Sequence, residues 1–199
     1  MKKAIKPVIA LVCLLVAVDT ATAQAINRLQ NPTGEQGLQH WRAYGKGNVS
    51  SLQTGITCFV LGNVDYILQD VPITKDDVGM FAVLITRAST EGSNVDGSVA
   101  GWPSLYGYMM DPGNSTSGYV YEYFQDPSMG GQPKAGAWEK LWGIYRVPEK
   151  TGRIRLFLFP GCKKANTQDN CTSRFRDAGI YLFGTQEEAK DFVRQYQKI

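Results

Sequence analysis

Arg153, Arg155, Phe157 and Phe159 occupy alternate positions of one short run, and Trp142, Ile144 and Arg146 do the same in the run before it. Alternate side chains of an extended strand share a face. The intervening residues, Ile154, Leu156 and Leu158 in one run and Leu141, Tyr145 and Val147 in the other, read as core. If both strands lie in the same sheet, the opposite side presents a Trp, two Phe and three Arg toward solvent. That combination suits sugar recognition: a sugar rests its C–H face on an aromatic ring while planar guanidinium groups hydrogen-bond its hydroxyl rim. Trp142 with Arg155 is the expected pair, aided by Trp102, Tyr106 and Tyr108 from the long segment 89–117. Tyr121 joins the set through the run 119–124, which puts Tyr119, Tyr121 and Tyr123 on one face and Glu122 on the other. Either of those faces can be the core one, because alternation does not fix register.

Groups suited to bond-making chemistry are sparse. His40 is the single histidine, which excludes a histidine-rich zinc site and limits nucleophilic designs that need an imidazole base. There is no Gly-rich phosphate loop, nucleophile elbow or spaced Cys/His set. A glycosidase needs two carboxylates facing each other across the scissile bond. Glu122 with Asp126 or Glu139 are the candidates, and nothing in their spacing imposes that arrangement. The chain reads as a binder and not as an enzyme.

The elements that position these residues begin after a leader. Lys2, Lys3 and Lys6 precede an apolar run from Val8 to Val18, and Ala21-Thr22-Ala23 supplies small residues of the kind a signal peptidase reads. The run spans about 11 residues, short of the roughly 20 that cross a bilayer. Residues 1–23 are therefore expected to be a signal peptide and the remainder to be secreted, with no transmembrane segment. Without three lysines and Asp19, 18 basic and 17 acidic residues remain, a net charge of +1. No basic stripe interleaved with aromatics survives, so nucleic acid is not an expected partner.

Export permits disulfides. Cys162 and Cys171 flank the polar stretch 163–170 and read as a stapled surface hairpin, worth roughly 2–3 kcal/mol in the chain-entropy model. Cys58, inside the strand-like run 56–61, reads as a buried thiol, with pairing to either of the other two left open.

From residue 29 to 183 short β-like runs alternate with Gly, Pro, Asn and Asp. Strands are expected near 56–61, 64–71, 80–88, 118–124, 138–147, 153–159 and 174–183, with less definite ones around 38–53; the segment 89–117 reads as a loop. The fold class is all-β: an antiparallel β-sandwich or jelly roll over residues 24–184. Residues 185–199 change period. Thr185 and Glu188 match a capping box, and Ala189, Phe192, Val193 and Tyr196 fall on one face of a short amphipathic helix.

The order of several short motifs resembles the galactose-binding-like family of jelly-roll carbohydrate-binding modules. They are Asn31-Pro32-Thr33-Gly34-Glu35-Gln36-Gly37-Leu38 with Trp41, then Gln69-Asp70-Val71 and Thr86-Arg87-Ala88-Ser89. Trp138-Glu139-Lys140-Leu141 leading to Tyr145-Arg146-Val147-Pro148, and finally Phe175-Arg176-Asp177-Ala178-Gly179-Ile180-Tyr181-Leu182, complete the series. The opening motif is also similar to that of the F-box-associated domain, a lectin-like sandwich. The resemblance implies a non-catalytic carbohydrate or glycoconjugate binder. It further implies a structural calcium, for which Glu35 and Asp177 are the two acids, although Arg176 stands where the family often has a first Asp. Either acid could instead pair with Arg174 or Arg176. The other reading of the aromatic face is a protein–protein interaction or assembly surface.

Overall fold

The computed structural model describes residues 25–45, 48–51, 57–62, 66–91, 103–113, 122–124, 138–160 and 172–199. The expected leader, Trp102, Tyr121, Cys162 and Cys171 lie outside the described residues. Ten strands are described: β1 (Arg42–Tyr44), β2 (Asn48–Ser51), β3 (Thr57–Gly62), β4 (Tyr66–Pro72), β5 (Phe81–Glu91), β6 (Ser104–Met110), β7 (Glu122–Phe124), β8 (Glu139–Arg146), β9 (Arg153–Phe159) and β10 (Thr172–Phe183). They form two five-stranded sheets, ordered β1-β4-β9-β6-β7 and β2-β3-β10-β5-β8, and every pairing is antiparallel. This is the expected β-sandwich, closed by a C-terminal helix, α1 (Gln186–Lys198).

The core lies between the sheets and is built by alternation. The first sheet contributes Ile67, Leu105, Ile154, Leu156 and Leu158; the second contributes Phe59, Leu61, Leu84, Phe175 and Ile180. A Cβ at Gly107 would collide with Leu84 from the opposite sheet, so a glycine there lets the layers close. Cys58 lies on β3 with no exposed surface, as its place in a strand suggested.

The opening motif is a structural device. Asn31 donates to the carbonyls of Gly37 (2.9 Å) and Gln39 (3.2 Å) and accepts from the Gln36 amide (3.1 Å). The Trp41 indole N–H in turn donates to the Asn31 carbonyl at 3.0 Å. Gly34, at φ +80°, lies where a Cβ would come within 3.1 Å of the Phe59 ring, so the turn caps the core. Gln69 performs a similar task, exchanging two hydrogen bonds (2.7 and 2.9 Å) with the backbone of Gln30.

β10 carries a bulge between Arg176 and Gly179, with Asp177 at φ +54°. The extra residue reverses which parity points inward: Phe175 faces the core before it, Ala178 and Ile180 after it. Thr86 on β5 donates its hydroxyl to the Arg176 carbonyl at 3.1 Å, which satisfies a backbone group at the interrupted ladder.

Past the bulge the outward residues of β10, Tyr181 and Phe183, lie under α1 with Val83, Ile85, Trp142 and Ile144. The helix starts as the capping box required: the Glu188 amide donates to the Thr185 hydroxyl (3.2 Å), and the Thr185 amide donates to the Glu188 carboxylate (2.9 Å). Ala189, Val193 and Tyr196 are buried against the sheet, and Phe192 packs beside them.

Two expectations are corrected. The segment 89–117 is not one loop: β6 occupies Ser104–Met110 and pairs with β9 and β7 in the interior of the first sheet. The strands of Trp142 and Arg155 do not share a sheet. β8 pairs with β5 in the second sheet, and β9 lies between β4 and β6 in the first. Alternation fixes which side chains share a strand's face, while sheet membership is set by long-range pairing.

Candidate functional site

Among the described residues, the outer face of the first sheet gathers six aromatic rings. Tyr44 lies opposite Tyr66 in the ladder, and their rings stack at 4.8 Å with 15° between planes. Tyr66 continues onto Phe157 (5.8 Å) and Phe159 (6.3 Å). On the other flank of β9, Tyr108 meets Phe157 edge-on at 5.0 Å and Tyr106 meets Phe159 at 6.2 Å. The rings sit there because β4, β9 and β6 each turn their aliphatic partners inward: Ile67 and Val71, Ile154 to Leu158 by alternation, and Leu105 with Met109. Leu68 shares the outward parity of Tyr66 and is only 2 % exposed, so the rings form a layer above the backbone. Tyr44, at 47 % exposed, is the most open of the six.

Beside the rings lies one carboxylate with three guanidinium groups. Arg155, in register with Asp70 on β4, binds it bidentately at 2.6 and 2.9 Å. Arg42 reaches the same carboxylate at 2.5 Å from the edge strand, and Arg153 approaches to 3.8 Å. Burial pushes the Asp70 carboxyl upward, but the hydrogen bond from Arg155 and the charges of Arg155, Arg42 and Arg153 outweigh it and hold it below its usual value. The same hydrogen bond holds the Arg155 guanidinium above its usual value.

Of the six ligand-binding residues expected from sequence, the structure brings together Arg155, Tyr106 and Tyr108. The two tyrosines stand on strand β6 and not on a loop. Trp142 is corrected: it belongs to the outer face of the second sheet and packs in the cluster covered by α1. Tyr44, Tyr66, Arg42 and Asp70 were not singled out. Their signal was present, since Tyr66, Leu68 and Asp70 alternate against Ile67, Gln69 and Val71, and Arg42 and Tyr44 flank Ala43.

The two acids expected to hold calcium do not form a fitting site. Asp177 is engaged by Arg87 at 3.4 Å and Arg176 at 3.7 Å, and Glu35 is exposed in the opening turn. Among the described residues no group of three or more His, Cys, Asp or Glu is arranged to hold a metal. A cavity of about 410 Å³ adjoins Asp177 and Arg87, with Pro32, Ile85, Tyr181, Phe192 and Tyr196 in its walls. Its one acid is matched by Arg87 and its apolar walls continue the helix contact, so it reads as the seam where α1 meets the sheet. Among the described residues no helix is long and apolar enough to cross a membrane.

The sequence matches no family model and no curated protein. The fold matches solved structures of carbohydrate-binding modules. A family 16 carbohydrate-binding module aligns with TM-score 0.54 at 12% identity, covering 77% of this chain and 99% of that one. TmCBM61, solved in complex with β-1,4-galactotriose, aligns with TM-score 0.50 at 16% identity, covering 80% and 99%. The enzymatically active domain of bacteriophage CBA120 tailspike protein 4 aligns with TM-score 0.57 at 11% identity; it covers 79% of this chain, which spans only 22% of that one. The chain therefore has the jelly-roll sandwich fold of carbohydrate-binding modules.

Proposed function

We propose that this chain is an exported, non-catalytic carbohydrate-binding domain whose ligand lies across the outer face of the first sheet. The observation that carries the reading is the layer of six rings on a face that no described element covers, flanked by an ordered guanidinium cluster. Such a face offers flat apolar platforms for sugar C–H groups and planar donors for hydroxyls. The neighbours in fold support it: one was solved with a galactotriose and others are named carbohydrate-binding modules. Export rests on the Lys2–Ala23 leader pattern. In the same reading Cys162 and Cys171 close a disulfide outside the cell.

A glycan-array screen of residues 24–199, produced under oxidising conditions, tests the proposal. Reproducible binding to a glycan class, lost in Phe157→Ala, is the expected result. A blank from folded protein would overturn it and leave the face as a surface for another protein.

A further inference from the structure

The proposed glycan face carries a charge excess, and a role for that excess in ligand choice presupposes that the face binds glycans. Arg155 alone occupies both oxygens of Asp70, and Arg42 shares one of them. Arg153 remains at 3.8 Å, beyond hydrogen-bonding distance, and its buried Nε makes no hydrogen bond among the described residues. One bidentate arginine already balances the charge of a carboxylate, so the second and third are in excess of what Asp70 neutralises. Three guanidinium charges against one carboxylate leave two positive charges in this network. The mature chain as a whole carries only about +1, so this is a local concentration and not a general basicity.

We infer that the face selects acidic glycans, whose uronate carboxylates or sulfate esters are held by Arg42 and Arg153. Arg42 sits opposite Leu68, and Arg153 opposite Pro72 and Met110, so they flank the Arg155–Asp70 pair from two sides. Phe157 follows Arg155 by two positions on β9, about 7 Å along the strand. A sugar on Phe157 and Tyr108 therefore places its neighbour within reach of the guanidinium groups. Each guanidinium has five donors in a plane that matches a carboxylate or sulfate edge. A neutral sugar leaves most of them to water.

The test measures affinities for polygalacturonate, dextran sulfate, dextran, β-1,4-galactan and polyglutamate at physiological salt. One acidic glycan is expected to bind at least about tenfold tighter than the neutral ones, the scale of one charge-assisted hydrogen bond. Polygalacturonate or dextran sulfate as the tighter ligand distinguishes carboxylate from sulfate. The double variant Arg42→Gln, Arg153→Gln is expected to remove that preference, with acidic glycans losing far more affinity than neutral ones while the thermal midpoint holds. Equal affinity for neutral and acidic glycans overturns the inference and leaves the glycan-binding reading standing. Polyglutamate binding as tightly as the acidic glycans also overturns it, because charge without sugar then suffices. Binding to none of the glycans removes both.

Discussion

Both sheets turn aromatic and aliphatic side chains outward. On the second, Val83, Ile85, Trp142, Ile144, Tyr181 and Phe183 are covered by Ala189, Phe192, Val193 and Tyr196 of α1. On the first, Tyr44, Tyr66, Tyr106, Tyr108, Phe157 and Phe159 pack on one another, and no described helix lies over them. The first face also holds a guanidinium network in its midst, whereas Arg87 and Arg176 of the second pair with Asp177 at the bulge beside the helix contact. Aromatic content alone thus does not mark a recognition surface. A face that a helix seals is part of the core; one that stays open and keeps charged groups among its rings is available to a ligand.

The largest effect expected from this contrast is on binding. Each ring of the open face contributes about 1–2 kcal/mol of stacking and burial, so Tyr66→Ala with Phe157→Ala should weaken a glycan ligand by roughly a hundredfold. Calorimetric titration checks this, and the thermal midpoint should fall far less than for an equivalent core change. The reverse pattern is expected for the sealed face. Trp142→Ala should cost about 2 kcal/mol in denaturant unfolding, less than for a fully buried Trp, and leave glycan affinity unchanged. Loss of affinity in that variant would break the contrast.

Smaller effects sharpen it. Thr86→Val removes the hydroxyl that serves the Arg176 carbonyl at the bulge, with an expected loss of about 1–2 kcal/mol from an orphaned buried acceptor. Because the bulge sets which β10 residues lie under α1, hydrogen exchange should rise in α1 more than in β9. Smallest is the pH dependence of Asp70. Its folded carboxyl is held below its usual 3.8, so its contribution is present above that value and fades as pH falls through the lowered one. Asp70→Asn should melt below the parent at neutral pH, with the gap closing in acid; the gap is small because the cluster is partly exposed to solvent.

Much of the sandwich was legible in strand alternation. The core sets of β8 and β9, the capping box of α1 and its buried stripe all appear where the residue types put them. What stayed hidden was long-range. Nothing in Trp142 or Arg155 says which strands will flank them, and pairing alone separates them onto opposite sides of the molecule. β6 was obscured because its seven residues sit in a segment rich in turn formers, although Tyr106 and Tyr108 already alternated with small or aliphatic neighbours. The Asn31–Trp41 motif announced the fold, yet its side chains act on the backbone of their own turn.

The division between the faces has an optical counterpart. Trp41 packs on Phe59 in the core at 4.9 Å, Trp138 lies beneath the Arg176 guanidinium at 4.4 Å, and Trp142 belongs to the helix-covered cluster. The open face, among the described residues, carries only phenol and phenyl rings. Light absorbed at the red edge, where indole alone absorbs, therefore reports through Trp41, Trp138 and Trp142 on the interior and the helix side; Trp102 lies outside the described residues. Among the described residues, then, the indoles follow unfolding and the docking of the helix, and none of them stands on the ligand face.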